Sequence, residues 1–263
     1  MSKQHGFTLM EMVVSMVIVG VISLGLINYG VVSSTLFVQT QNRISALEEA
    51  RFVLSRFHRE LGNSVPLSTR VSSDGDCIEY IPLTYVGEYD PDNLTLGTNS
   101  LPLTHPLSSA LDQCFADANN PCLVSIYPRR AEDLYQGENS SNQVYRLTGA
   151  DTQSLKLGSV LNVRPTSPSN RLFVYLPIAR QFCAINDEVR FFPGYPLTFE
   201  GLWAANSQND QPVAKHLASH RNIFRLGVDG TYSSTASMHF SLQVNHDNEN
   251  VEFMQNVQVL NAQ

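Results

Sequence analysis

The stretch that decides the fold is the N-terminal sequence MSKQHGFTLMEMVVSMVIVGVISLGLINYG, residues 1–30. From Met12 to Val38 the chain has 27 residues without Asp, Glu, Lys, Arg, His or Pro. A helix of that length is roughly 40 Å long, which exceeds the ~30 Å hydrocarbon core of a bilayer. The pattern predicts a membrane-spanning helix, although Glu11 places a carboxylate at its start, where a charge is costly.

A cleaved secretory signal is the alternative for this segment. The apolar region of such a signal is usually about 7–15 residues long and ends in a small-residue site of the A-x-A type. The present run is longer, and no cleavage site of this type precedes a position at which a mature chain could begin. A membrane span that is retained in the mature protein is therefore favoured. Lys3 lies on the short N-terminal side, and the positive-inside rule then places that end in the cytoplasm and the rest beyond the inner membrane.

The helix is expected to continue past the span as an amphipathic segment. Apolar residues recur at spacings of three and four, the period of one helical face, at Ile44, Leu47, Ala50, Leu54, Phe57 and Leu61. Gly62 is a suitable C-cap, and Pro66 follows shortly after it. We therefore expect one helix from about Thr8 to Leu61, roughly 80 Å long, whose second half needs a domain to pack against.

The composition of the whole chain is that of an ordinary globular protein. It has 263 residues, of which 43% are hydrophobic and 16% charged, enough for one large domain or two small ones. A formal net charge of −7 argues against a generally basic surface, so no nucleic-acid partner is predicted. No linker between two domains is visible.

The residues after the helix are predicted to be rich in strands. Four runs combine β-branched and aromatic residues with flanking turn formers: CIEYIPLTYV (77–86), CLVSIYP (122–128), RLFVYLPI (171–178) and EVRFFP (188–193). Two more, SMHFSLQV (237–244) and NVEFMQNVQVL (250–260), flank the polar sequence NHDNE and predict a hairpin. Long polar loops are expected at 87–121 and 200–212. The predicted fold class is α+β, a long N-terminal helix packed on an antiparallel sheet.

Four cysteines lie in the part of the chain predicted to be outside the membrane, where an even number favours disulfides. Three connectivities are possible. Cys114 and Cys122 enclose a short polar loop that suits a local bridge, while Cys77 and Cys183 lie in strand-like runs that would pair as neighbours. The pairing 114–122 with 77–183 is favoured. A zinc site is disfavoured because no C-x-x-C sequence is present.

Other candidate chemistry is sparse. His216 and His220 are four residues apart, but Leu217 follows the first, so the metalloprotease pattern H-E-x-x-H is absent and two surface histidines beside a strand are favoured. The acidic sequence GEYDPDN (87–93) lacks the EF-hand pattern and is read as a solvated turn rather than a calcium site. No G-x-S-x-G, P-loop or dinucleotide-binding motif occurs, so no enzyme, cofactor or metal is predicted.

The order Gly6, Phe7, Glu11 and then an uncharged run resembles the cleavage signature of type IV prepilins and type II secretion pseudopilins. The resemblance implies that a prepilin peptidase of the membrane cuts between Gly6 and Phe7 and that the new N-terminal residue, Phe7, is methylated. Removing the six-residue leader from the 263-residue chain leaves 257 residues. The implied organisation is a leader at 1–6, a transmembrane and assembly helix at 7–38, its amphipathic continuation at 39–62, and a periplasmic β-rich domain at 63–263.

The same resemblance gives Glu11 a role, because it is the fifth residue after the implied cut and corresponds to the acid characteristic of the family. Its carboxylate is implied to pair with the N-terminal amine of a neighbouring subunit, so that both charges are neutralised and the axial register of the helices is fixed. From the residues alone, the alternative is that Glu11 only complements the positive end of its own helix dipole, an effect worth under about 1 kcal/mol.

The sequence ARFVLSRFHRELGNSVPLSTRV (50–71), with its Arg59-Glu60-Leu61 stretch, resembles minor pilins of the mannose-sensitive haemagglutinin (MSHA) pilus, of the MshO type, and also J-type minor pseudopilins of type II secretion. The pilus is favoured. The implied protein is a structural minor subunit in the inner membrane, and later in a surface pilus, that starts fibre growth at or near the tip. Its partners would be minor and major pilins, the prepilin peptidase, the inner-membrane assembly platform and membrane lipid.

Two functions of other classes remain open from the sequence. The large domain would suit a tip adhesin, with Trp203, Tyr195 and Tyr89 as candidates for stacking on sugars, although aromatic residues of this kind are equally suited to a core. A membrane-anchored periplasmic enzyme would keep its leader uncut and present a reactive pocket.

Overall fold

The computed structural model describes residues 8–107, 109–116, 120–137, 143–165, 167–198, 200–201, 203, 209–219, 222–227, 237–246 and 249–258. Its first element is helix α1, Leu9–Gly62, 54 residues and about 80 Å long. This confirms the predicted single helix that continues past the apolar segment. The helix ends where Asn63, at the C-cap, donates its side-chain amide to the Arg59 carbonyl oxygen at 3.0 Å.

The rest of the described chain is mainly antiparallel β-structure. Two short helical segments occur at Ser109–Phe115, a 3-10 helix, and at Ala131–Tyr135, α2. The described strands are β1 (Arg70–Val71), β2 (Cys77–Tyr80), β3 (Tyr85–Glu88), β4 (Ser100–Pro102), β5 (Leu123–Ile126), β6 (Val144–Asp151), β7 (Ser154–Leu157), β8 (Arg171–Tyr175), β9 (Ile178–Ile185), β10 (Glu188–Pro196), β11 (Gln211–Ala214), β12 (Phe224–Leu226), β13 (Ser237–His246) and β14 (Glu249–Gln258).

These strands form three sheets, where one sheet was predicted. The orders are β1-β2-β9-β10-β11, β12-β13-β14 and β3-β8-β5-β6-β7-β4. The run 77–86, predicted as one strand, is divided between the first and the third of these sheets. The division falls at Pro82, which has no N–H to donate to a ladder and forms only an isolated bridge with Ser64. The α+β fold class is confirmed.

The six-stranded sheet closes on itself. Beyond the ends of its edge strands β3 and β4, Tyr89 forms an antiparallel bridge with Leu103. The Asp90 N–H donates to the Pro102 carbonyl oxygen and the Thr104 N–H to the Glu88 carbonyl oxygen, both at 2.9 Å. The result is a small barrel, and closure removes the free edges that an open sheet would expose. Its interior is packed with side chains such as Leu101, Leu147, Leu155, Leu172 and Val174.

The barrel is inserted into the five-stranded sheet. Strands β2 and β9 are direct neighbours in that sheet, with Cys77 opposite Cys183, yet the whole barrel lies between them in sequence. Side chains from the outside of the barrel, including Phe173 and Tyr175, share a buried cluster with Phe192 of β10. Because this apolar interface is continuous, the barrel and the sheet pack as adjoining layers, which explains why no linker is visible in the sequence.

The second half of α1 packs against the other side of the five-stranded sheet and against β13 and β14. Its buried residues are spaced four, three, four and four apart: Ala46, Ala50, Val53, Phe57 and Leu61. The predicted face was close to this one but included Ile44, which is exposed. Helix packing against the globular part therefore begins at Ala46, and α1 extends for roughly 50 Å before it.

Phe57 is the centre of this packing. Its ring centroid lies 4.7 Å from that of Phe182 in β9, 4.9 Å from Phe240 in β13 and 5.6 Å from Phe224 in β12. One helical side chain thus contacts strands of two different sheets. Aromatic pairs at these separations add about 0.5–1.5 kcal/mol each to the effect of burial alone.

The C-terminal hairpin is confirmed and is more regular than predicted. Strands β13 and β14 pair over ten consecutive residues, from Ser237 opposite Gln258 to His246 opposite Glu249. The strands extend into the NHDNE sequence, since only residues 247–248 separate them, and these two lie outside the described residues.

Phe57→Ala should lower the free energy of unfolding by about 3–5 kcal/mol, because it leaves a cavity where α1 meets both sheets. The measurement is urea unfolding of the full chain in detergent micelles. Phe52→Ala is the control on the same helix, since Phe52 is 57% exposed and Phe57 is fully buried. Equal effects of the two substitutions would contradict the packing described here.

Candidate functional site

The N-terminal half of α1 presents apolar side chains on every face. Its apolar segment is long enough to cross a membrane, and none of its most apolar window is buried by the rest of the described chain. Several hydroxyl groups of the helix are bonded to its own backbone. Ser23 donates to the Val19 carbonyl oxygen at 2.7 Å and Thr35 to that of Val31 at 2.8 Å. Because these polar groups are satisfied locally, the segment suits an apolar environment, as in a single-pass membrane anchor.

Glu11 lies in the first turn of α1 and is exposed. Thr8 is the N-cap residue, and its hydroxyl oxygen accepts a hydrogen bond from the Glu11 N–H at 3.4 Å. Thr8 and Glu11 therefore have the spacing of a capping box, which satisfies one of the free N–H groups at the helix start. The predicted cleavage and methylation residues, Gly6 and Phe7, lie outside the described residues.

The base of α1 is held to the five-stranded sheet by polar contacts around Glu60. One of its carboxylate oxygens accepts from the Tyr80 hydroxyl at 2.9 Å and from Arg180 Nη1 at 3.1 Å. Burial, followed by the negative charge of Glu60, raises the pKa of Tyr80 well above its ordinary value. Within the Arg59-Glu60-Leu61 stretch, Glu60 and Leu61 thus have internal roles, because Leu61 is also buried in the core, whereas Arg59 is exposed.

A second polar cluster is buried between the five-stranded sheet and the barrel. The Glu79 side chain is 0% exposed and pairs with Arg70 Nε, and the Tyr195 hydroxyl donates to its other oxygen. The Arg70 guanidinium lies 3.5 Å from the centre of the Tyr135 ring and donates to the Thr198 carbonyl oxygen at 2.6 Å. Burial, followed by the charge of Glu79, raises the pKa of both Tyr195 and Tyr135.

This buried cluster was not predicted from the sequence. Its signal was present, because Glu79 interrupts the apolar run CIEYIP in the same way as Glu11 interrupts the N-terminal helix. A carboxylate in an apolar run indicates either a function or a buried partner, since it is costly when unpaired. Here the partner is Arg70, opposite Glu79 on the neighbouring strand β1.

The structure contains two disulfides, Cys77–Cys183 and Cys114–Cys122. This is the pairing that the sequence favoured. The first joins β2 to β9 at the place where the barrel is inserted, so it closes a loop with a sequence separation of 106 residues. The second closes the loop that precedes β5, with a separation of eight residues.

The other candidates have ordinary structural roles. His216 follows β11 rather than lying on a helix, and its Nδ1 is 3.8 Å from a carboxylate oxygen of Glu49, whereas His220 lies outside the described residues. Asp90 accepts from the backbone N–H of Asp92 at 2.9 Å and from the Asn93 amide at 2.7 Å, and the Asn93 bond in particular lowers its pKa. Within the described parts of the chain, no group of three or more His, Cys, Asp or Glu is placed to hold a metal ion.

The aromatic residues considered for sugar binding are mostly part of the core. Tyr89 is buried inside the barrel, and Tyr195 is buried in the cluster with Glu79. Trp203 is partly buried, with its ring 5.9 Å from the Arg70 guanidinium. Of the two alternatives that the sequence left open for Tyr89 and Tyr195, the structure shows the core: Tyr89 packs inside the barrel and Tyr195 between the barrel and the five-stranded sheet.

Comparison with known proteins identifies the N-terminal segment. Residues 1–27 match the prokaryotic N-terminal methylation motif, and the match includes Gly6, Phe7, Glu11 and the first part of the apolar helix. The motif supports a type IV pilin or pseudopilin, and it implies processing by prepilin peptidase, assembly with other pilins and a structural rather than catalytic protein. No curated protein and no solved structure matches the chain.

Glu79→Ala should cost about 3–5 kcal/mol of folding free energy, because it leaves the Arg70 charge buried without its partner and removes the acceptor of the Tyr195 hydroxyl. Urea unfolding of the full chain measures this. The control is Asp151→Ala, which breaks the exposed Lys156–Asp151 pair, whose side chains are 53% and 57% exposed. An exposed pair contributes about 0–1 kcal/mol. A loss no larger than that of the control would contradict the role given to the buried cluster.

Proposed function

We propose that this protein is a minor type IV pilin, similar to the MshO type, that primes assembly of a pilus of the MSHA type and lies at or near the fibre tip. The observation that carries the proposal is the match of residues 1–27 to the N-terminal methylation motif on a helix whose apolar half is uncovered. The helix is held in the inner membrane before assembly and between the helices of other pilins after it.

The proposed order of events follows from the charges at the N-terminus. Cleavage after Gly6 releases a positively charged amine at Phe7, which is then methylated. That amine and the Glu11 carboxylate both lie at the start of an uncharged helix, where an isolated charge is costly. Pairing Glu11 with the amine of a neighbouring subunit neutralises both. The Thr8 hydroxyl oxygen satisfies one backbone N–H of the first turn, and the exposed Glu11 carboxylate is available for contact with the neighbouring amine.

The size of the globular part supports a low-copy subunit. The inserted barrel adds a third layer to the helix and the five-stranded sheet, so the head is much wider than the roughly 10–12 Å diameter of a helix. A wide head suits a position where few copies must pack side by side. The same features also suit a J-type pseudopilin of type II secretion, and the Arg59-Glu60-Leu61 stretch does not separate the two because its contacts are internal to the fold.

Glu11→Ala should leave leader cleavage largely intact and reduce the amount of this subunit in isolated fibres severalfold or more. The subunit is measured by immunoblot in sheared fibres and in membranes, and cleavage by the size of the membrane form. Glu48→Ala is the matched control, since Glu48 is an exposed acid on the same helix but lies beyond the apolar segment. Wild-type incorporation of the Glu11 variant would refute the pairing.

A further inference from the structure

The C-terminal sheet has one face that α1 does not cover. Alternate residues of a strand point to opposite faces. In β13, Met238, Phe240 and Leu242 are buried in the core that contains Phe57 of α1. His239 and Ser241 therefore point away from the helix.

Strand register brings a row of polar side chains together on this face. Arg225 of β12 is opposite His239 of β13, which is opposite Asn256 of β14. The next outward pair along the hairpin is Ser241 with Met254. Together with Asn222, these residues line a pocket of about 400 Å³. That volume is within the ~300–1,000 Å³ range of small-molecule sites. We call it the outer sheet pocket.

The side chains of the outer sheet pocket offer complementary hydrogen-bonding groups. His239 Nδ1 contacts Asn256 Oδ1, an arrangement that uses the amide oxygen of Asn256 and directs its Nδ2 donors elsewhere. The second imidazole nitrogen of His239 lies on the other side of the ring from this contact. Asn256 Nδ2 as a donor and the second imidazole nitrogen of His239 as an acceptor match the hydroxyl groups of a sugar, which both accept and donate.

The pocket also has a charged end and an apolar surface. Arg225 is exposed, and a guanidinium is always charged and binds carboxylates through two parallel hydrogen bonds. Met254, 75% exposed, supplies an apolar and adaptable contact. The opposing charge is Glu252, which accepts from the Ser241 hydroxyl at 3.3 Å. The Glu252 carboxylate thus lies at the Ser241 end of the pocket, two residues along β13 from the row of Arg225, His239 and Asn256, about 7 Å in backbone spacing.

We propose that the outer sheet pocket binds an acidic sugar, such as a uronic acid unit of a polysaccharide. The sugar carboxylate pairs with Arg225, its hydroxyl groups bond to His239 and Asn256, and the C–H face of its ring packs on Met254. The chain carries a formal net charge of −7, which disfavours general binding of polyanions. Affinity for an acidic polysaccharide must therefore come from the outer sheet pocket itself. This pocket is a different surface from the buried aromatic residues Tyr89 and Tyr195.

The test uses the full chain in detergent micelles at physiological ionic strength, with polygalacturonate as the probe and a neutral galactan as its uncharged counterpart. Binding is measured by surface plasmon resonance. Polygalacturonate should bind and the galactan should not. Arg225→Gln should weaken binding about tenfold or more, because it removes a charge-assisted contact. Asn256→Ala should weaken it severalfold. Neither residue is part of the assembly helix, so the result does not depend on the proposed role of α1.

The control is Arg130→Gln, which removes an exposed arginine on the barrel side and should leave binding unchanged. Circular dichroism confirms that each variant is folded. Three results would overturn the proposal: no binding of polygalacturonate, equal loss in the Arg130 and Arg225 variants, which indicates general charge attraction, or equal binding of the neutral galactan, which indicates a site that does not read the carboxylate.

Discussion

The whole arrangement depends on one constraint, namely that the described parts of the chain leave the first half of α1 uncovered. From Leu9 to about Val38 the helix extends beyond the globular part, and its large apolar side chains are exposed. At about 25 cal/mol per Å² of apolar surface, such a helix is strongly disfavoured in water. It must lie in lipid or among other apolar helices. The local hydrogen bonds of its hydroxyl groups and the N-terminal methylation motif are both in keeping with that requirement.

A protruding helix is useful for assembly only if it is rigidly joined to the part it carries. Phe57 joins it through aromatic contacts to strands of two sheets, and Glu60 joins its base to Tyr80 and Arg180. The next layer meets the buried pair of Glu79 and Arg70 on the five-stranded sheet, where the Arg70 guanidinium lies over the Tyr135 ring of α2, a helix between barrel strands β5 and β6. A buried ion pair is a weak source of stability compared with apolar packing, but it tolerates few alternative geometries. The position of the Glu79–Arg70 pair between the five-stranded sheet and the barrel is thus suited to fixing how these two layers pack.

The sequence alone was sufficient to predict the features that are formed by residues close together in the chain. The period of the apolar residues predicted α1, two strand-like runs that flank a polar turn predicted the hairpin of β13 and β14, and a short polar loop indicated the Cys114–Cys122 bridge. The barrel was missed because its closure depends on pairings between distant segments, such as β5 with β8, and on the bridge from Tyr89 to Leu103. Ile44 was misplaced because a helical period fixes the face only to within about one residue.

The same distinction applies to the candidate sites. Glu11 was identified because a carboxylate beside an uncharged run is visible in the sequence itself. Glu79 carried a similar signal, but its partners Arg70 and Tyr195 come from other strands. The row of Arg225, His239 and Asn256 has no sequence signal, because it is created by the register of three strands.

The most direct test of the account is the mass of the N-terminal peptide of the protein isolated from its native cell. We expect a chain that begins at Phe7 and carries one methyl group on its amine, so that the peptide is heavier than the unmodified sequence by that group alone. A chain that still begins at Met1 would contradict the account, because the pairing proposed for Glu11 requires the new amine that cleavage creates.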